Sequence, residues 1–175
     1  MRRVIVTFIL ILGTFLLQCT VFQSIPLIRT TPNLLLILTV SFGIMRGKKA
    51  GLLTGFVSGL FIDLFYSNLF GFYALIYMYI GYLNGFLCKV FFDEDVKIPM
   101  LLVAISDFGF NLLFYVIQFA FRMRFDFTAY LRYTIIPEVI YTVLLSIILY
   151  RVYFLINKKL LANELEEQQS PWLRK

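Results

Sequence analysis

Three acidic residues interrupt otherwise apolar stretches of this chain: Asp63, Asp107 and Glu138. Paired carboxylates can act as general acid and base. Here no nucleophile is aligned with them. The sequence contains no histidine, which removes Ser-His and Cys-His nucleophile pairs and most zinc and haem ligation. Ser58 therefore has no imidazole to activate it. Cys19 and Cys88 lie in apolar stretches and read as small apolar residues without a redox role. Gly43 to Lys49 runs G-x-x-x-G-K-K. A phosphate-binding loop needs one more spacer, Ser or Thr after the lysine, and a preceding strand. The expectation is a protein with no catalytic residue, no cofactor and no metal, and hence no enzyme.

Other polar residues recur at helical spacing. Asp107, Asn111, Tyr115 and Gln118 would share one helix face, as would Thr134, Glu138 and Thr142, and Thr7, Thr14 and Gln18. Residues i and i+4 lie on one side of a helix. Lipid cannot satisfy such faces, so they should point into a bundle. Glycine recurs every fourth residue from Gly43 to Gly59, and the next step lands on Asp63. Gly51, Gly55 and Gly59 thus form a nearly bare stripe ending in an acid. Gly81 and Gly85 form a second pair. Small-residue stripes let helix backbones approach closely in lipid, which makes these five glycines candidates for helix packing or a partner interface.

The elements that would carry these residues are membrane spans. The chain has 175 residues, is 61% hydrophobic and has a mean hydropathy of +0.86. Soluble domains hold about 45–50% apolar residues. Continuous apolar runs, without period-two alternation, argue against a β-barrel. The fold expected is all-α, a polytopic bundle of about six transmembrane helices: 4–22, 30–45, 50–65, 70–91, 98–121 and 133–156. Residues 1–156 would form the bundle and 157–175 a cytoplasmic tail. The run after Met1-Arg2-Arg3 resembles a signal peptide, but no cleavage site follows, so a retained first helix is expected.

Basic residues orient the bundle. With the N-terminus inside, the cytoplasmic side holds 12 of the 16 Lys and Arg residues: those at the N-terminus, in the Arg46–Lys49 turn, in the Lys89–Lys97 loop and from Arg151 onward. Both termini would then be cytoplasmic. Five spans with an external N-terminus is the alternative, because the second run is short. Arg29, Arg122, Arg124 and Arg132 fall outside. Asp63 and Glu138 also fall in the outer part, Glu138 about 9 Å below the edge, and Asp107 near the midplane. The acids would attract these four arginines in an outer polar cluster. The inner basic loops need no nucleic acid, since anionic lipid at the cytoplasmic face accounts for them.

One stretch carries a known pattern. It reads Pro32-Asn33-Leu34-Leu35-Leu36, then Gly43-x-x-Arg46-Gly47-x-x-x-Gly51, Gly55-Phe56-x-x-Gly59-Leu60-x-x-Asp63, Gly71-x-x-Ala74-Leu75 and Gly81-Tyr82-Leu83-x-Gly85. It resembles the rod shape-determining MreD family, on its Firmicutes side. That family usually has Asp where Asn33 stands. The resemblance implies a bacterial plasma-membrane component of cell-wall elongation that maintains rod shape, with no catalytic activity. It implies MreC as a single-pass partner, and MreB, RodA and a class B penicillin-binding protein as a wider complex. The family is also similar in overall fold to the six-helix substrate-binding subunits of energy-coupling-factor vitamin transporters. A vitamin-type uptake subunit is the alternative function. Those subunits present an Ala-x-x-x-Ala face on their first helix, and Val4 to Phe22 contains no alanine.

Overall fold

A computed structural model describes residues 2–20, 31–66, 70–89, 97–122 and 127–169. Among these, all regular structure is helical. The elements are α1 (Arg2–Thr20), α2 (Leu34–Arg46), α3 (Lys48–Tyr66), α4 (Phe72–Phe86) with a 3-10 turn at Leu87–Lys89, α5 (Lys97–Arg122), α6 (Phe127–Tyr130), a π turn at Leu131–Ile135, and α7 (Ile136–Gln169). The last three run on without a break as one rod. Among the described residues, four stretches are long and apolar enough to cross a membrane: Arg3–Thr20, Lys48–Tyr66, Lys97–Ile117 and Phe127–Ala162.

Contacts between named residues fix the direction of each helix. Gln18 meets Leu35 and Thr7 meets Arg46, so α1 and α2 are antiparallel. Asn84 meets Ser106 and Tyr77 packs on Phe110, so α4 and α5 are antiparallel. Thr14 and Tyr153 share a hydrogen bond of 2.9 Å, which sets α1 antiparallel to α7. Arg3 and Glu164 form an ion pair. One end of the bundle therefore carries the start of α1 and the end of α7. The other carries Gln18, Asn33, Asp63, Tyr73 and Glu138.

The centre of the bundle is α2. Every residue from Leu34 to Met45 is buried, and α2 touches α1, α3, α4, α5 and α7. Its 13 residues span about 20 Å, short of a hydrocarbon core of about 30 Å. The deficit costs little because the helix faces protein on all sides and never meets lipid. A helix apolar all round belongs in such a position. Its two hydroxyls are satisfied one turn back: Thr39 donates to the Leu35 carbonyl at 2.9 Å and Ser41 to that of Ile37 at 2.6 Å. Gly47 ends the helix at φ +85°, and its N–H donates to the Gly43 carbonyl at 2.9 Å. A left-handed residue there suits glycine and turns the chain directly into α3.

The surrounding helices present apolar side chains outward: Val4 on α1, Leu53 on α3, Leu83 on α4, Leu101 on α5 and Ile148 on α7 are all more than 60% exposed. A belt of that kind on every outer helix suits a lipid environment.

Beyond the expected boundary at residue 157, α7 continues to Gln169. Asn157 is buried and accepts a hydrogen bond from Arg46 Nε at 2.7 Å. Glu164, a further two turns on, is paired with Arg3. Asn157 thereby serves Arg46, at the end of the central helix, and Glu164 serves Arg3 on α1.

Candidate functional site: a polar cavity opposite the termini

The two sets of glycines face each other. A Cβ on Gly51 would strike the Gly81 carbonyl oxygen, and one on Gly81 that of Gly51. A Cβ on Gly59 would lie 2.5 Å from Ala74 Cα, and one on Gly85 2.5 Å from Lys48 Cα. Gly55 meets the backbone of Tyr77. Gly51, Gly55, Gly59, Gly81 and Gly85 thus form one antiparallel seam between α3 and α4. They join the chain's own helices, and side chains are excluded from the seam by backbone on both sides.

That seam delivers Asp63 to the start of α4. Its carboxylate accepts from the backbone N–H of Tyr73 at 3.1 Å and of Ala74 at 2.8 Å. Gly71, the residue before the helix, has no side chain to cap it. Asp63 supplies the cap from the neighbouring helix, where a carboxylate also meets the positive end of the helix dipole. Asp63 thus meets a helix end, which offers two donors already in place. Arg29 and Arg124 lie outside the described residues, as does the side chain of Arg122. Arg132 sits in the π turn, exposed, with its guanidinium 6.0 Å from the Tyr133 ring centroid. Among the described residues it pairs with neither Asp63 nor Glu138.

Asn33 organises the interior at this end. Its side-chain oxygen caps α2, accepting from Leu36 N–H at 3.2 Å, and also accepts from the Tyr77 hydroxyl at 2.5 Å. Its own N–H donates to Thr142 Oγ at 3.1 Å. Three elements are thereby tied through one residue. Asn and Asp cap helices about equally well, so the amide serves here as a carboxylate would.

Asp107 lies beside Asn33 and Thr142. It is fully buried, and neither carboxylate oxygen has a hydrogen-bond partner. One turn on, Asn111 donates to the Asp107 carbonyl at 3.1 Å and faces Glu138. The two acids are close enough to interact. Above them is a cavity of about 250 Å³. Asn33, Asn111 and Glu138 line it together with Tyr66, Tyr73 and Tyr130.

The π turn explains how α6 and α7 both reach this cavity. At 3.6 residues per turn, positions eight apart are offset by about 80°. A π turn absorbs one extra residue, which takes back about 100°. Tyr130 and Glu138 then face the same way. The cause is Pro137, which offers no N–H and crowds the carbonyl four residues before it. The chain widens instead, with Ile136 N–H donating to Leu131, five residues back. Sequence reasoning placed Glu138 inward but missed Tyr130. Pro137 was the available signal.

At the other end, Arg46 plays the part of Asn33. Besides Asn157, it donates through Nη1 to Thr7 at 2.7 Å, and its guanidinium lies 4.2 Å from the Phe42 ring centroid. Nothing in this arrangement aligns a nucleophile with a base, and the described residues hold no group of three or more potential metal ligands.

The family model for rod shape-determining protein MreD matches residues 1–160. The chain belongs to the MreD family. It is accordingly a multi-pass membrane protein of the cell-shape-determining class, with the all-α bundle that its hydropathy implied. No curated protein sequence and no solved structure matches the chain. The uptake-subunit alternative finds no support in these matches.

Proposed function

We propose that this MreD-family chain is a non-catalytic scaffold of the bacterial cell-wall elongation machinery. It would sit in the plasma membrane with both termini in the cytoplasm and hold a MreC-like single-pass protein through helix contacts. MreB, RodA and a class B penicillin-binding protein would be reached directly or through that partner. The family match carries this reading. The bundle supports it: the polar residues described above tie its helices to one another. Because the glycine seam is closed by α3 and α4, a partner helix would meet the outward apolar faces. Basic residues near the termini, such as Lys158 and Lys159, would rest on anionic lipid, worth about 1 kcal/mol per charge.

The test is depletion in the native host together with affinity capture from membranes. We expect cells to round or widen while wall synthesis continues, and the single-pass partner to co-purify. Cells that keep their shape on full depletion would reject the reading.

A further inference from the structure

We propose that the cavity opposite the termini is a binding site for an ammonium group, carried either by an amino-lipid headgroup or by a free small amine. Its size suits a headgroup-sized ligand. Its volume is about 250 Å³.

Its charge selects the ligand. Glu138 is the one charged side chain among the described residues that line the cavity. Among the described residues it forms no ion pair, and a polar group it faces is the Asn111 amide. Asp107, close beneath, is fully buried with both oxygens unpartnered. Two acids of one sign thus lie together in an apolar bundle with no cation of the described residues between them. Unpaired charge in such surroundings is costly, and intramembrane acids mark partners or ligands. An anion would be repelled. A neutral polyol would find hydrogen-bond partners but leave the charge uncompensated.

The walls add a second selection. Tyr66, Tyr73 and Tyr130 line the same cavity as Glu138, together with Phe15 and Phe114. Aromatic faces attract cations, most strongly when water is excluded. Tyr66, 53% exposed, marks the rim, so a ligand can enter from the membrane surface. The π turn places Tyr130 on the same side as Glu138, and such turns recur at functional sites.

The test uses the purified full-length protein in detergent and in nanodiscs. Thermal unfolding is followed against ethanolamine and choline, with inositol as the neutral control and sodium chloride at matched ionic strength. Retention of phosphatidylethanolamine against phosphatidylglycerol is read by native mass spectrometry. We expect saturable stabilisation by an ammonium probe, or selective retention of the amino-lipid. Either response should weaken roughly tenfold or more in Glu138→Gln, which removes a charged hydrogen-bond partner. A response to soluble amines alone identifies a free amine as the source; retention of the lipid alone identifies a headgroup. Should Glu138→Gln fail to fold, Tyr130→Leu removes one aromatic wall at a half-buried position and should also weaken binding. No response to any ammonium probe or amino-lipid overturns the proposal, as does equal stabilisation by inositol or wild-type binding in a folded variant. Binding is read on the isolated protein, so its failure would leave the shape role untouched.

Discussion

Asp63 uses its charge on a helix end ten residues further along the chain. Hydrogen bonds to a charged group contribute about 1.5–3 kcal/mol each way they are broken, and the carboxylate makes two. Asp63→Ala should lower stability by about 2 kcal/mol or more, because Gly71 offers no replacement cap. Asp63→Asn keeps one acceptor and should lose about half as much. Denaturation of the purified protein measures both. A double-mutant cycle with Arg132 should be additive, since the two share no partner; coupling above about 0.5 kcal/mol would show a contact absent here. The sequence made Asp63 conspicuous, as an acid ending a glycine stripe, but hid its role. Its partners are main-chain N–H groups, which have no residue signature. Asn33 was hidden for the same reason: a cap, a tyrosine hydroxyl 44 residues away and a threonine on the last helix are not neighbours in any periodic pattern.

At the scale of helices, periodicity was the readable signal. A four-residue glycine repeat is a local property, so the α3 stripe and the Gly81–Gly85 pair could both be found before their mutual contact was known. The same holds for Thr7, Thr14 and Gln18, which α1 turns toward Arg46, Tyr153 and the start of α2. Register across an irregular turn was not readable, and Tyr130 was missed on that account. The central place of α2 was not readable either. Its short length suggested a poor span, whereas enclosure by five helices relieves it of matching the bilayer. The seam makes a sharp prediction. Gly55→Leu must displace backbone, since its Cβ would lie 2.7 Å from the Tyr77 carbonyl carbon. We expect destabilisation at or above the upper end of the usual overpacking range of about 1–3 kcal/mol. Gly13→Leu is the control: nothing lies within 4 Å of its Cβ position, so its stability should stay within about 0.5 kcal/mol of wild type. Equal effects of the two substitutions would show that α3 and α4 do not meet backbone to backbone.

For the whole molecule, the ion pair between Arg3 and Glu164 sets both ends of the described chain at one face. Five spans would separate them by a membrane. Which face they occupy is a matter of charge: the end holding Arg3, Arg46, Lys48 and Lys158 is basic, and the positive-inside rule leads us to expect it in the cytoplasm. Cysteine labelling on intact cells checks this, in a background where Cys19 and Cys88 are replaced by serine. A cysteine at exposed Lys158, or appended before residue 1, should react with a membrane-impermeant thiol reagent only after permeabilisation. One at Thr128, exposed on α6 at the cavity end, should react directly. Reaction of the N-terminal cysteine in intact cells would invert the bundle. The cavity would then open to the cytoplasm, and an amino-lipid of the outer leaflet could no longer reach Glu138.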